Sequence, residues 1–225
     1  KTLMIDDKTT YVSNVSTISM EQRVMKRTMD IVFSLVGLII TSPIMLACAL
    51  AVKLCDRGPV FYKQRRITEN GKPFDVIKFR TMIVDAEKES GMIWAKKDDD
   101  RITPVGKVLR KIRMDELPQL LNILKGDMSI VGPRPEREEL IEEFVKTYPE
   151  FKYRLKVKAG LTGLAQIMGK YNTTPIDKLT MDLEYIENYS IWLDLKLIFQ
   201  TAKVFFKSDS TEGVEDTPED NGQKH

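Results

Sequence analysis

Ile31 to Val52, IVFSLVGLIITSPIMLACALAV, runs 22 residues without a charged side chain, long enough for a helix to cross the hydrocarbon core of a bilayer. A single crossing is the ordinary expectation for such a run. Three features favour a re-entrant helix-break-helix hairpin over residues 21–56 instead. Ser42-Pro43 lies in the middle; a proline there removes a helix hydrogen bond and crowds the preceding turn, so a kink or break is predicted, with the Ser42 hydroxyl at hand for the freed backbone groups. Both flanks are basic, with Arg23, Lys26 and Arg27 before the run and Lys53, Arg57, Lys63, Arg65 and Arg66 after it, and both therefore belong on the cytoplasmic side. Each half holds about eleven residues, roughly 16 Å of helix, which reaches the bilayer midplane and can turn back. A signal peptide does not fit, because no small-residue cleavage site follows.

On the N-terminal side, residues 1–20 are polar and without sustained period, as in a linker or irregular lead-in. On the C-terminal side, Pro59 to Ile67 and Pro73 to Arg80 are β-prone runs around Glu69-Asn70-Gly71-Lys72, which predicts a β-hairpin. Its cations Lys63, Arg65, Lys78 and Arg80 suit phosphates or lipid head groups, or else form a solvated face. Residues 81–90 read as helical, and Asp98, Asp99 and Asp100 as an acidic loop, ordinarily solvated and otherwise open to a metal.

Thr103-Pro104 opens a helix predicted to reach Arg113. Between Arg110 and Arg134 two adjacent carboxylates, Asp115 and Glu116, stand among cations, with Pro118 in the first turn of a helix that Gly126 ends. A carboxylate near that N-terminus is favoured in its ionised form and has room for a phosphate beside it. Neighbouring side chains on a helix point about 100° apart, so the pair suits two jobs: one carboxylate on Mg²⁺ and the other facing phosphorus, with Arg110 and Arg134 on the phosphate oxygens. Taken alone, the same residues also describe a capped helix with solvated charge.

Ser129 to Val131 reads as a short strand, and Gly132-Pro133-Arg134-Pro135 as a stiff loop whose prolines limit where Arg134 reaches. Pro135 opens an amphipathic helix to about Thr147, Gly160 to Gly163 is a tight loop leading to Gln166, and Thr174-Pro175 starts a helix with Ile176, Leu179, Leu183 and Ile186 on one face. Residues 190–207 mix Trp192, Phe199 and other apolar residues with Lys196, Lys203 and Lys207, which suits a helix at a membrane interface or an ordinary core helix. The whole is a mostly helical α+β domain.

Composition narrows the chemistry. The 225 residues carry 35 Lys and Arg against 33 Asp and Glu, but six of the acids and one base follow Lys207. Residues 1–207 therefore hold 34 bases and 27 acids, a net charge of +7, which suits a polyanionic partner such as phosphates, anionic lipid or nucleic acid. The tail over 208–225 has the composition of a disordered segment. The only histidine is His225, so histidine is not the general base of an ordered core. Cys48 and Cys55 form neither a zinc pattern nor a disulfide framework.

Taken together, the basic-flanked apolar segment with Ser42-Pro43, Lys78-Phe79-Arg80-Thr81-Met82, Asp115-Glu116-Leu117-Pro118-Gln119-Leu120, Lys125-Gly126-Asp127-Met128-Ser129, Gly132-Pro133-Arg134-Pro135 and Gly160-Leu161-Thr162-Gly163 resemble the bacterial sugar transferase family, the monotopic polyprenyl-phosphate phosphoglycosyl transferases. The resemblance implies a catalytic domain over 21–207, at the cytoplasmic face of the bacterial inner membrane. The implied reaction moves a sugar-1-phosphate from a UDP-sugar to undecaprenyl phosphate and releases UMP, as the first membrane step of capsule, exopolysaccharide or other glycoconjugate assembly. By motif match Asp115 is the nucleophile that forms a covalent phosphosugar intermediate, Glu116 binds Mg²⁺, and Arg110 and Arg134 hold phosphate. The implied partners are UDP-sugar, undecaprenyl phosphate and membrane lipid, not nucleic acid; the sugar and the oligomeric state stay open. Longer family members carry an N-terminal membrane bundle and a Rossmann-like domain, and a polar lead-in from Lys1 fits the catalytic portion of such a member. Two competing classes are an inverting glycosyltransferase that releases UDP and a non-catalytic adaptor that binds anionic lipid.

Overall fold

The computed structural model describes residues 2–5, 8–11, 18–84, 86, 99–169 and 173–205. The acidic tail, Asp98 and five of the ten residues over 81–90 lie outside these residues; of the helix expected there, residues 81–84 are not helical, and Met82 instead pairs with Ile102 in an antiparallel bridge. Within the lead-in, expected to be irregular, strands β1 (Thr2–Ile5) and β2 (Lys8–Tyr11) pair antiparallel with Thr2 opposite Tyr11. The β-branched threonines and isoleucine suit paired strands, a signal hidden by the polarity of the segment.

Helix α1 (Met20–Asp56) starts at Ser19, which shares a capping box with Gln22. It continues through Pro43, so the expected break is not a gap in the helix. The carbonyl of Ile39 loses its donor because Pro43 has no N–H, and the Ser42 hydroxyl donates to it at 2.9 Å. The serine therefore fills the role its place beside the proline suggested.

The helix is inside out by the standards of a soluble protein. Its buried positions are Lys26, Asp30, Ser34, Cys48 and Val52, whereas Val32, Leu35, Ile39, Ile40, Leu46 and Leu50 are exposed. A helix packed on an aqueous domain buries its apolar stripe; here a polar stripe at i, i+4 and i+8 faces inward. Lys26 Nζ donates to the Val131 carbonyl at 2.9 Å and to Asp194 Oδ2 at 2.7 Å, and Asp30 Oδ1 accepts from Ser129 Oγ and the Ile130 amide, both at 2.9 Å.

Strands β3 (Phe61–Ile67) and β4 (Pro73–Phe79) form the expected hairpin, Phe61 opposite Phe79 and Ile67 opposite Pro73. Its turn uses Asn70 and Gly71 at positive φ. Helix α2 (Pro104–Lys111), capped by Thr103, ends two residues short of Arg113, and α3 (Gln119–Lys125) ends at Gly126 with φ 99°. Strand β5 (Ser129–Val131) then enters the core. Helix α4 (Glu138–Thr147) begins three residues later than expected and leads to a 3-10 stretch, Pro149–Lys156.

Gly160–Thr162 is not merely a loop: it forms β6, parallel to β5, with Ser129 opposite Gly160 and Val131 opposite Thr162. Gly160 lies so close to the Gly132 backbone that a Cβ would come within 2.1 Å of its nitrogen, so the glycines that suggested a turn serve a close strand crossing. Helices α5 (Leu164–Met168), α6 (Pro175–Glu187) and α7 (Ile191–Phe205) complete the chain. The predicted face of α6 buries Leu179, Leu183 and Ile186, which join Ile123, Met128 and Val131 in the main core. A second cluster of Cys48, Val52, Phe79 and Leu109 joins the C-terminal half of α1 to the hairpin and α2.

Asn122 fixes α3 against the hairpin, its Nδ2 donating to the Asp75 carbonyl at 2.8 Å and its Oδ1 accepting from the Ile77 amide at 3.0 Å. Asn122→Leu keeps the branched outline of the side chain, adds some bulk and strands both groups. It is expected to destabilise the domain by roughly 1–3 kcal/mol for each group left buried without a partner, read as a lower denaturation midpoint with an unchanged slope.

Candidate active site

Strand β4 delivers Lys78 to the edge of the hairpin, and the segment after α2 brings the two carboxylates to it. Arg113 adopts φ 55°, ψ 23°, an uncommon conformation for a residue with a side chain, and it turns the chain from α2 into a 3-10 turn, Met114–Glu116. Asp115 therefore lies in this turn and not at the N-cap of the following helix, a place taken by Pro118. The double reversal of direction left no mark in hydrophobic periodicity.

Glu116 is the hub. Its Oε1 accepts from Lys78 Nζ at 2.8 Å and from Arg134 Nη2 at 3.2 Å, and because both bonds fall on one oxygen, the lone pairs of Oε2 are directed elsewhere. Burial alone would push the Glu116 carboxyl up, but Arg134 and Lys78 outweigh it and hold the group well below the usual carboxylate range. Lys78 is itself lowered by burial, with the charge of Glu116 opposing. Asp115 behaves oppositely: burial first and the neighbouring Glu116 charge second raise it, against the pull of Lys78 and Arg110. Two adjacent carboxylates are thus driven apart in proton affinity, a pattern that assigns different chemical jobs to otherwise similar groups.

Arg110 reaches this cluster from the last turn of α2, its Nε donating to Thr81 Oγ1 at 2.8 Å. The charges of Asp115 and Asp99 both act on it. Asp99 is buried and paired with Arg101 Nη2 at 2.6 Å, so this member of the acidic run is not solvated, whereas Asp100 is exposed. Arg134 hangs from the loop after β5 with its side chain 47% exposed.

Arg80, expected beside the phosphates, is placed elsewhere. Its guanidinium forms a two-pronged pair with Asp56 and its Nε donates to the Pro59 carbonyl at 2.6 Å. Alternation along a strand would put Arg80 on the face of Lys78, but β4 ends at Phe79, and just beyond it the buried Arg80 clamps the end of α1 to the hairpin. Gln166 turns back on its own segment, its Nε2 lying 3.4 Å from the Leu161 carbonyl. Sequence inspection missed Thr81 as the group that orients Arg110, although it stands beside Arg80 in a quoted motif.

The structure thus brings Lys78, Arg110, Asp115, Glu116 and Arg134 into one electrostatic cluster and excludes Arg80 from it. Such a cluster accepts a polyanion at its cations and offers a carboxylate of raised proton affinity to an electrophile. Among the described residues, no three His, Cys, Asp or Glu side chains are grouped to hold a metal ion.

Comparison with known proteins supplies a context for this geometry. Residues 21–208 match the model of the bacterial sugar transferase family. The chain is 41% identical over 181 residues to a protein of Aeromonas hydrophila named UDP-N-acetylgalactosamine-undecaprenyl-phosphate N-acetylgalactosaminephosphotransferase, covering 79% of this chain and 43% of that protein. It is 47% identical over 184 residues to a UDP-glucose:undecaprenyl-phosphate glucose-1-phosphate transferase of Klebsiella pneumoniae, covering 80% and 39%. A protein of the same name from Caulobacter vibrioides is 38% identical over 190 residues, covering 82% and 71%. The chain spans about two fifths of the length of the first two relatives.

The opposite shifts of the two carboxylates give a stability test. The fold penalises the ionised form of Asp115, a cost present above its raised folded pKa and relieved as pH falls through it. Asp115→Asn is therefore expected to raise the melting temperature at pH 7, with the gain shrinking toward acid. Glu116, whose folded pKa is depressed, contributes stability above its unfolded pKa that is lost as pH falls, so Glu116→Gln should lower the melting temperature at pH 7 and converge on wild type in acid.

Proposed function

We propose that this chain, which belongs to the bacterial sugar transferase family, transfers a sugar-1-phosphate from a UDP-sugar to undecaprenyl phosphate with release of UMP, as the first membrane step of capsule, exopolysaccharide or glycoconjugate assembly. The observation that carries the proposal is the seat of Asp115: a carboxylate of raised proton affinity next to a firmly ionised one, with Lys78, Arg110 and Arg134 around them. The names of the relatives, which join a UDP-sugar to undecaprenyl phosphate, agree with it.

In the proposed reaction an Asp115 carboxylate oxygen attacks the phosphorus that bears the sugar. An O–P bond forms, the bond from that phosphorus to the bridging oxygen breaks, and UMP leaves with the electron pair. An oxygen of undecaprenyl phosphate then attacks the same phosphorus and the bond to Asp115 breaks, which returns the carboxylate and needs no proton from the protein. Attack of one anion on another requires cations at the phosphate oxygens, the task of Arg110 and Arg134. Lys78 holds Glu116 in place and tempers the charge around Asp115.

The donor set suits Mg²⁺, which keeps much of its water and is held by one or two carboxylates together with substrate phosphates. Glu116 is the residue that would hold it; bound there, the ion would withdraw charge from the diphosphate.

The long helix supports a location for the site at a membrane surface. Its exposed apolar face is suited to lipid, and its N-terminal half is fastened through Lys26 and Asp30 and its C-terminal half through Val52 and Asp56 to the same domain. Attachment at both ends, basic residues on both flanks and the proline at the centre support a re-entrant path from the cytoplasmic face of the inner membrane. On α7, Trp192 and Phe199 are exposed alongside Lys196, a face suited to the head-group layer.

Purified protein given a panel of UDP-sugars, undecaprenyl phosphate and Mg²⁺ is expected to release UMP; release of UDP would assign sugar transfer without phosphate, and vesicle binding without turnover would assign an adaptor. Asp115→Asn should reduce turnover by roughly 10³-fold or more, and wild type incubated with the donor alone should gain the mass of one sugar phosphate.

For the path of the helix, native Cys55, which is exposed, and an introduced Met25→Cys should react with an impermeant thiol reagent from the same face of inverted vesicles. Reaction from opposite faces would establish a single crossing.

A further inference from the structure

The run from Pro133 to Glu136 is held by its carbonyls. That of Pro133 accepts from the Gly160 amide at 2.9 Å, that of Arg134 from Arg154 Nη2 at 3.1 Å, that of Pro135 from Arg66 Nη1 at 3.4 Å and that of Glu136 from the Ile67 amide at 3.1 Å. Prolines 133 and 135 have no N–H to donate, so carbonyl contacts do much of the fixing. The bond to Arg134 itself, the residue that reaches Glu116, comes from Arg154.

Arg154 lies in the 3-10 stretch Pro149–Lys156 and is 5% exposed. Its Nη2 is 2.8 Å and its Nε 3.1 Å from Asp182 Oδ2, and its Nη1 is 3.9 Å from Glu136 Oε1. Asp182, on α6, is 1% exposed. A buried ion pair repays its desolvation poorly, and a pair of well-packed apolar side chains often serves stability as well or better. What an apolar pair lacks is a rigid donor fork that meets a carboxylate and a backbone carbonyl together.

We propose that Arg154, oriented by Asp182, is a positioning residue that fixes the Arg134 backbone and so sets the reach of the Arg134 guanidinium toward Glu116 and a bound phosphate. It touches no substrate and acts through Arg134; only the consequence for turnover rests on the reaction proposed above. Lysine at 154 keeps the charge opposite Asp182, but one nitrogen on a flexible stem does not reproduce the fork. Asparagine at 182 keeps an acceptor and removes the charge that orients Arg154.

The test uses the whole chain in detergent micelles, with Arg154→Lys and Asp182→Asn made separately. Hydrogen exchange read by mass spectrometry is expected to accelerate in peptides covering residues 129–141 in both variants while the hairpin over 61–79 keeps wild-type protection. Equal acceleration across the domain, or none in 129–141, overturns the proposal. In turnover, Arg154→Lys should lower kcat by roughly 10–100-fold, the scale of a misplaced positioning group, with a smaller change in KM for the UDP-sugar. In an Arg134→Ala background the same substitution should change kcat by less than about threefold, because residues acting through one contact are not additive. An equal loss in both backgrounds assigns Arg154 a structural role alone and overturns the proposal. Should wild type release no UMP, the proposed reaction fails by itself, and hydrogen exchange still decides the positioning claim.

Discussion

Lys26 joins four parts of the molecule at one nitrogen: the helix that carries it, the Val131 carbonyl at the end of β5, the Tyr185 hydroxyl on α6, and Asp194 on α7. One helical turn later Asp30 takes the hydroxyl of Ser129 and the amide of Ile130. A helix whose apolar face points outward gains little from apolar burial against its own domain. The attachment of its N-terminal half comes largely from directed polar bonds, as between helices surrounded by lipid, while Cys48 and Val52 add an apolar contact at the other end. Each buried charge is tolerable because it is paired and hydrogen-bonded. These contacts fix β5 in particular, and β5 runs directly into the loop that presents Arg134.

The other end of the same helix governs the other half of the site. Arg80 clamps Asp56 where the helix meets the hairpin, and Phe79 packs on Cys48 and Val52 beside it. Between them they set the end of β4, from which Lys78 reaches Glu116 and Thr81 receives Arg110. The cations around Asp115 and Glu116 thus come from segments anchored to opposite halves of a single helix. A change in its path would move Arg134 relative to Lys78, and Glu116 bonds both. The long helix is therefore part of the site's framework, which couples local unfolding of one to the geometry of the other.

Much of this was legible before any coordinates. The hairpin and the helices opened by Thr103-Pro104 and Thr174-Pro175 follow local rules of turn and cap chemistry, and the carboxylate pair with Arg110 and Arg134 stood out by its spacing. What escaped depends on distant partners. Arg80 and Lys78 are two residues apart in one basic strand, and composition does not say that one meets Asp56 and the other Glu116. Gly160 suggested a turn, because a glycine demanded by a neighbouring strand looks the same in sequence as one demanded by a tight corner. Asp115 was placed at a helix start by Pro118; the left-handed Arg113, which sets the 3-10 turn instead, carries no residue signature. The buried Lys26 resembled a membrane flank, since a basic patch before an apolar run has the same composition whether it meets lipid or a protein core, and Asp30 carried no signal of its buried partners.

The opposed proton affinities bear on why one carboxylate would serve both halves of the proposed transfer. A group that captures phosphorus and then gives it up must be nucleophilic in the first step and a good leaving group in the second. Raised basicity helps the first and hinders the second. Burial and the Glu116 charge raise Asp115, while Lys78 and Arg110 pull it back, so its affinity is set by opposing forces and not by burial alone. Glu116 participates in both: its charge raises Asp115, and its bonds hold Lys78 and Arg134 in place. Neutralising Glu116 would remove the charge that makes Asp115 more basic and release Lys78, one of the two cations that keep that basicity in check. In the proposed reaction the ionised glutamate is therefore a condition for a balanced nucleophile even before any metal ion is bound to it.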